Sequence, residues 1–263
     1  MPPAPLVASV PQLIAKINSQ SAAVQTLSAT VDLEPSTGSV YSGVIKQYHD
    51  VKGFILAKRP GFIRMIGQAP VVRTDIFDMA SNGERFSLYI PSQDKFYTGS
   101  ASLPENSKNV LENLRPQHIV SALLLRPIDP ATECYFPQQI EEGAVQDYVI
   151  TVLLDCAAGQ VNLKRRIWFD RSDLEISRLE LYGSEGSLLE DVHYAAYKDF
   201  DGVHYPTSIT INRPVEDYSL VVRILTAKFN QPVPVSKFNL RKPASAQLIK
   251  LSSVPKAGER HDQ

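Results

Sequence analysis

The stretch Phe54-Ile-Leu-Ala-Lys-Arg-Pro-Gly-Phe-Ile-Arg-Met-Ile66, continued at 75–91 by Asp-Ile-Phe-Asp-Met-Ala-Ser-Asn-Gly-Glu-Arg-Phe-Ser-Leu-Tyr-Ile-Pro, decides the fold. It holds four short runs rich in β-branched and aromatic residues, at 54–58, 62–66, 75–80 and 85–90. Arg59-Pro60-Gly61, the segment 67–74 and Asn82-Gly83 break them, which is the punctuation of successive strands. Asn-Gly between two alternating runs signals a hairpin, because both residues tolerate the positive φ that a tight strand reversal requires. Phe77 and Met79 alternate with Asp78, and Phe86, Leu88 and Ile90 alternate with Arg85 and Ser87. Each strand therefore carries one apolar face.

The same cadence runs outward in both directions. Further strands are expected at 28–33, 44–48 and 95–97, and then at 134–140, 148–155, 161–170, 175–182, 188–197, 207–212 and 219–229. Leu179 and Leu181 oppose Arg178 and Glu180, Ile209 and Ile211 oppose Thr210 and Asn212, and Leu220, Val222 and Ile224 oppose Arg223. Nearly every link is short, which calls for antiparallel neighbours. Two helices interrupt the strands. Ser9 with Gln12 forms a capping-box pattern, Pro11 suits a first turn, and Leu13, Ile14, Ile17 and Val24 recur at helical spacing. Pro116 opens a second, shorter helix with the stripe Ile119, Val120, Leu123 and Leu124, and Pro127 stops it. The expectation is one long antiparallel sheet that curls, with both helices on its concave face. It forms a single domain over 10–252 between disordered ends at 1–9 and 253–263.

The bulk composition narrows the function classes. At 263 residues, 43% hydrophobic, 21% charged and net charge -1, the chain is ordinary globular material without the clustered cations of nucleic-acid binding. Lys164-Arg165-Arg166 reads as an exposed strand start. No run approaches the ~18 apolar residues of a membrane-spanning helix. No catalytic, phosphate-binding, dinucleotide or metal motif appears, the five histidines stand singly, and Asp199-x-Asp201-Gly202 reads as a hairpin turn rather than a calcium loop. No enzyme, cofactor or metal is expected. Two cysteines, Cys134 and Cys156, are too few for a disulfide framework. They come nearly opposite if 134–140 and 148–155 pair about the turn at 142–146; two free thiols are the alternative.

The ordered whole resembles the LolA/LolB superfamily of lipoprotein carriers and receptors, from about Pro11 to Leu251. The resemblance rests on the 54–91 cadence, on Asn113-Leu-Arg-Pro-Gln-His-Ile-Val-Ser-Ala-Leu-Leu124, on the stretches 169–182 and 197–209, and on Phe238-Asn-Leu240. It implies a mainly β fold with two helices: a half-open antiparallel β-barrel with an α-helical lid and an internal apolar cavity. It also implies non-catalytic binding of lipid or lipoprotein acyl chains. Export to the periplasmic face of the outer membrane follows, with the export signal and lipidated cysteine expected to precede Met1. A monomer is expected, with lipid, lipoprotein and the outer-membrane surface as partners. The other reading is an envelope-stress sensor or protein-interaction module of the same shape.

From the apolar faces, the cavity lining is expected to be Leu13, Ile17, Phe77, Met79, Phe86, Leu88, Ile119, Leu123, Leu179, Ile209 and Ile211. An acyl chain of ~16 carbons at ~0.8 kcal/mol per methylene offers on the order of 13 kcal/mol before ordering costs, so such a pocket needs little polar specificity. The connection at 67–73 sits between two clear strands and yet holds Val71-Val72, which a purely solvated loop would avoid. By position, the resemblance implies that Pro70, Val71 and Val72 touch the membrane during delivery, with Arg73 near anionic head groups. The alternative is that both valines tuck into the core.

Overall fold

The computed structural model describes residues 4–37, 46–47, 51–101, 116–142, 145–154, 161–183 and 185–251. Helix α1 (Val10–Ala23) comes first. Strands β1 (Thr26–Thr37), β2 (Lys46–Gln47), β3 (Val51–Lys58), β4 (Phe62–Gln68), β5 (Asp75–Ser81), β6 (Arg85–Ile90) and β7 (Lys95–Ser100) follow. Helix α2 (Pro116–Leu123) divides them from β8 (Cys134–Glu142), β9 (Val145–Leu154), β10 (Asn162–Asp170), β11 (Ile176–Tyr182), β12 (Leu188–Phe200), β13 (Val203–Arg213) and β14 (Tyr218–Phe229). A short β15 (Gln247–Lys250) closes the series.

All the strands belong to one sheet, in the order β15-β7-β6-β5-β4-β3-β1-β14-β13-β12-β11-β10-β9-β8, with β2 on the end of β1. The two meanders join where β1 pairs antiparallel with β14. Among the described residues no ladder connects β15 to β8, so the sheet curls without closing. The two helices lie against the concave face. Tight turns account for how far the strands run. At Asn82-Gly83, Gly83 has φ +96 and the Asn82 side chain accepts from the backbone N–H groups of Glu84 and Arg85. Asp201 and Gly202 both have positive φ, 52 and 86, so β12 and β13 continue right up to a two-residue turn, further than the apolar pattern alone indicated.

The alternation survives the irregularities. Between Thr30 and Val31 the β1–β14 register slips by one, leaving Leu225 as the extra residue, yet Val31 opposite Ile224 and Leu33 opposite Val222 still face the core together. On β11 the faces are those expected, but Glu180 is buried on the outer one, where it accepts from Trp168 Nε1 and the Tyr182 hydroxyl and meets Arg178.

The described residues before α1 are tied to the sheet. In the irregular segment 4–9, the Leu6 N–H donates to the Arg171 carbonyl and Leu6 accepts from Arg171 Nε. The expected disorder at 253–263 falls outside the described residues, as does most of the strand expected at 44–48. After β14 the chain crosses the convex face as a strap. Thr26 Oγ1 donates to Gln231 O, Lys58 Nζ to Val233 O and Arg64 Nη1 to Lys237 O, while Phe238 buries against Phe62 at 5.4 Å. The strap delivers β15 to β7 as the one parallel pairing among the described residues. Four residues are too few to show a period, and β15 has no sequence signal of its own.

Candidate functional site

The concave face is built around how α2 is held. An α-helix leaves its last carbonyls without intrahelical partners. In α2 these are met from the sheet: the Tyr194 hydroxyl donates to Ala122 O at 2.9 Å and the Tyr205 hydroxyl to Leu123 O at 2.6 Å. Both tyrosines point inward from the antiparallel pair β12 and β13. Burial pushes both phenols far above their ordinary pKa, so they stay protonated donors. Just beyond the helix, Arg59 Nη2 donates to Leu125 O at 2.8 Å. The same guanidinium donates to Ser21 O at 2.9 Å and, through Nε, to Val24 O at 2.8 Å, at the end of α1. A cation at the C-terminal ends of two helices also answers their dipoles. Burial lowers the Arg59 pKa, but a guanidinium stays charged at any physiological pH. Asn18 adds a further clasp from α1, accepting from the Ile128 N–H and donating to its carbonyl.

Under this clasp lies a small apolar cavity with about 30 Å³ of free space, room for about one water. Gln20 of α1 and Val24 just after it, Leu123 of α2 and Leu125 beyond it, and Ile176, Tyr194 and Tyr205 of the sheet line it. Ligand pockets run to ~300–1,000 Å³, so no acyl chain fits here while α2 is down. The eleven residues expected to line a cavity are all buried in one continuous core with the helices. Leu123 lines this cavity and Leu179 a second recess, about 210 Å³, beside the end of α2. Leu13, Ile17, Phe77, Met79, Phe86, Leu88, Ile119, Ile209 and Ile211 pack against their neighbours in the core.

A polar network sits beneath the other side of α2. Glu190, fully buried, accepts from Ser121 Oγ at 3.0 Å and faces His118 Nδ1 and Arg213 Nη1, each at 3.4 Å. Arg213 is also paired with Glu216 at 2.6 Å. Serine and histidine side chains each meet the carboxylate rather than each other, so the nucleophile–base pair of a hydrolase is not assembled here. The network is a second polar attachment of α2. Among the described residues, no group of three or more His, Cys, Asp or Glu side chains could hold a metal ion. His193 and His204, on neighbouring strands, stand well apart: His193 lies opposite Thr210 and His204 opposite Asp199.

No protein-family model matches the sequence, and no curated protein matches it closely enough to be called a relative. Solved structures match the fold. A DUF1329 family protein from Desulfovibrio piger superposes with TM-score 0.55 at 12% identity, covering 87% of this chain and 95% of the other. A putative outer membrane lipoprotein-sorting protein domain from Vibrio parahaemolyticus gives 0.52 at 13%, covering 87% and 95%. A LolA superfamily protein from Nitrosomonas europaea gives 0.52 at 14%, covering 89% and 99%. The chain has the LolA-like fold.

Within this LolA-like fold, the connection between β4 and β5 projects Val71 and Val72 into solvent, 89% and 68% exposed. It is held at its base by the pair Ala69 and Thr74, with Arg73 at φ +51. Cys134 opens β8 opposite Leu153 and is disulfide-bonded. Cys156, the other cysteine of the sequence, lies outside the described residues. Sequence reasoning missed Arg59, Tyr194 and Tyr205, the donors that fix α2. Arg59 stood in the quoted turn and was read only as turn chemistry. The two tyrosines lie 72 and 82 residues from their acceptors, and nothing local marks them.

Proposed function

We propose that this chain is a non-catalytic carrier or receptor that holds acyl chains of a lipid or lipoprotein between the sheet and α2. Its setting would be the bacterial cell envelope, at the periplasmic face of the outer membrane. The observation that carries the reading is the attachment of α2. Its underside is apolar, and its C-terminal carbonyls are held by three side-chain donors above an apolar cavity. Releasing those bonds lifts α2 and joins the cavity to the space that its own leucine and isoleucine leave behind. Acyl chains then replace helix side chains on the same apolar face, a near-neutral exchange of buried surface.

Two further features suit the reading. Val71 and Val72 form an apolar tip at the rim with Arg73 beside them, which fits shallow insertion into a bilayer with anionic head groups. A Cys134–Cys156 disulfide fits an oxidising compartment. The lipoprotein-sorting name of the Vibrio parahaemolyticus domain, with the same fold, points the same way.

Native mass spectrometry of the protein purified from a bacterial host tests the proposal. The expected spectrum contains adducts of lipid mass that organic extraction removes. A single unliganded species, together with no uptake of a fluorescent palmitate analogue by the extracted protein, would overturn it.

A further inference from the structure

The second recess has a chemistry that the proposed acyl-chain site does not require. Its walls are apolar: Leu125 from just after α2, Leu179 and Leu181 from β11, and Leu189 from β12. Leu125 lines the cavity under α2 as well, so the two spaces share this residue. Around this apolar recess stand three cations, Arg126, Lys164 and Arg165.

Each cation is placed by a distinct piece of backbone. Lys164 is the extra residue of a bulge in β10, where the ladder to β9 runs from Leu163 opposite Leu153 to Arg165 opposite Val152; a bulge re-aims a side chain that would otherwise follow the pleat. Arg165 is buried on the inner face, pinned by Glu133 Oε2 and Pro127 O, both at 2.7 Å. Its Nε is buried without a hydrogen-bond partner. Arg126 is exposed at the end of the α2 segment, and among the described residues neither it nor Lys164 has a recorded ion-pair or hydrogen-bond partner. Nearby carboxylates are already engaged: Glu133 by Arg165, and Glu190, bonded to the lining Ser121, by Arg213. The recess thus keeps about two uncompensated positive charges against a low-dielectric leucine wall, where an anion is attracted more strongly than in water.

We propose that this recess binds an anionic amphiphile, seating a phosphate-type head between Arg126 and Lys164 with the first part of its chain on Leu179, Leu181 and Leu189. The inference rests on the acyl-chain reading above and specifies the ligand class: a phosphorylated lipid rather than a neutral one. At about 210 Å³, the recess takes a head group and the first methylenes of a chain, and Leu125 lies where the remaining chain would enter the cavity under α2.

Isothermal titration calorimetry with three probes on the full-length protein tests this: dodecyl phosphate and dodecyl maltoside, each below its micellar concentration, and inorganic phosphate. The expected result is binding of dodecyl phosphate at least tenfold tighter than dodecyl maltoside, with no measurable binding of inorganic phosphate. The double variant Arg126→Gln, Lys164→Gln, both at solvent-reachable positions, should bring the two detergents to equal affinity and leave dodecyl maltoside unchanged. Equal affinities in the unaltered protein, or a preference that survives the double variant, would overturn the head-group site while leaving the acyl-chain reading intact. Inorganic phosphate binding as tightly as dodecyl phosphate would make this a plain anion site and overturn the amphiphile assignment. No binding of either detergent would remove the acyl-chain reading and this inference together.

Discussion

The start of one helix of the concave face and the end of the other are held in opposite ways. Helix α1 is largely self-contained at its start: Gln12 Oε1 accepts from the Ser9 N–H at 2.7 Å, the arm of a capping box, and Leu13 and Ile17 bury one face of a 14-residue helix. Helix α2 has eight residues, with no room for a solitary helix to persist in water. Its end is finished by Tyr194, Tyr205 and Arg59, residues of three different strands or turns. A helix whose terminal hydrogen bonds come from elsewhere can be detached without unwinding its neighbour. Under the proposed function α2 is the moving part and α1 part of the frame, although Arg59 touches both.

The sharpest way to break the contrast is to remove Arg59. Arg59→Leu deletes three bonds from a charged donor and should cost about 3 kcal/mol in urea unfolding, at roughly 1–3 kcal/mol for each such group left unpaired. Amide exchange should quicken at the ends of both helices, because two of the three bonds go to Ser21 O and Val24 O at the end of α1 and one to Leu125 O after α2. A loss below about 1 kcal/mol would mean the clasp is incidental. Tyr205→Phe and Tyr194→Phe each leave one buried carbonyl unpaired and should cost about 1–2 kcal/mol, again with faster exchange at α2 and none at α1. Equal protection changes in both helices would erase the distinction between frame and moving part. Gln12→Ala acts only on the start of α1 and should cost under about 1 kcal/mol with α2 untouched.

What the sequence made legible follows the same division. Strand alternation, Asn82-Gly83, Asp201-Gly202 and the apolar stripe of α1 are local signals, and the elements they announce are present. The residues expected on the inner face are there because a period of two survives a register slip that falls opposite a compensating bulge, as at Leu225. The clasp was not legible, since a tyrosine in a strand looks the same whether its hydroxyl meets water or a helix end 72 residues away. The cavity was overestimated: parity tells which side chains share a face, not whether two helices fill the space before them. The cationic rim of the second recess was read as an ordinary strand start, because the bulge that isolates Lys164 comes from pairing with β9.

The smallest effect concerns the outer face, away from both helices. Burial alone would raise the Asp191 pKa, but hydrogen bonds from His193 and Arg178 bring it down to about 2 from the ordinary 3.8. A depressed carboxylate stabilises the fold above its unfolded value, and the contribution disappears as pH falls from 3.8 towards 2. Asp191→Asn should therefore flatten the acid limb of the stability–pH curve in that window and leave α2 exchange as it was. An unchanged acid limb would remove Asp191 from the account.

The most direct measurement for the central claim is photo-crosslinking with a palmitate analogue carrying a diazirine at its chain end, followed by peptide mass mapping. The account predicts label inside, on peptides holding Leu123, Ile176 and Tyr194, and a gain in labelling rate when Arg59→Leu frees α2. Label confined to the outer face or to the Val71–Val72 tip, or a rate indifferent to Arg59, would contradict it.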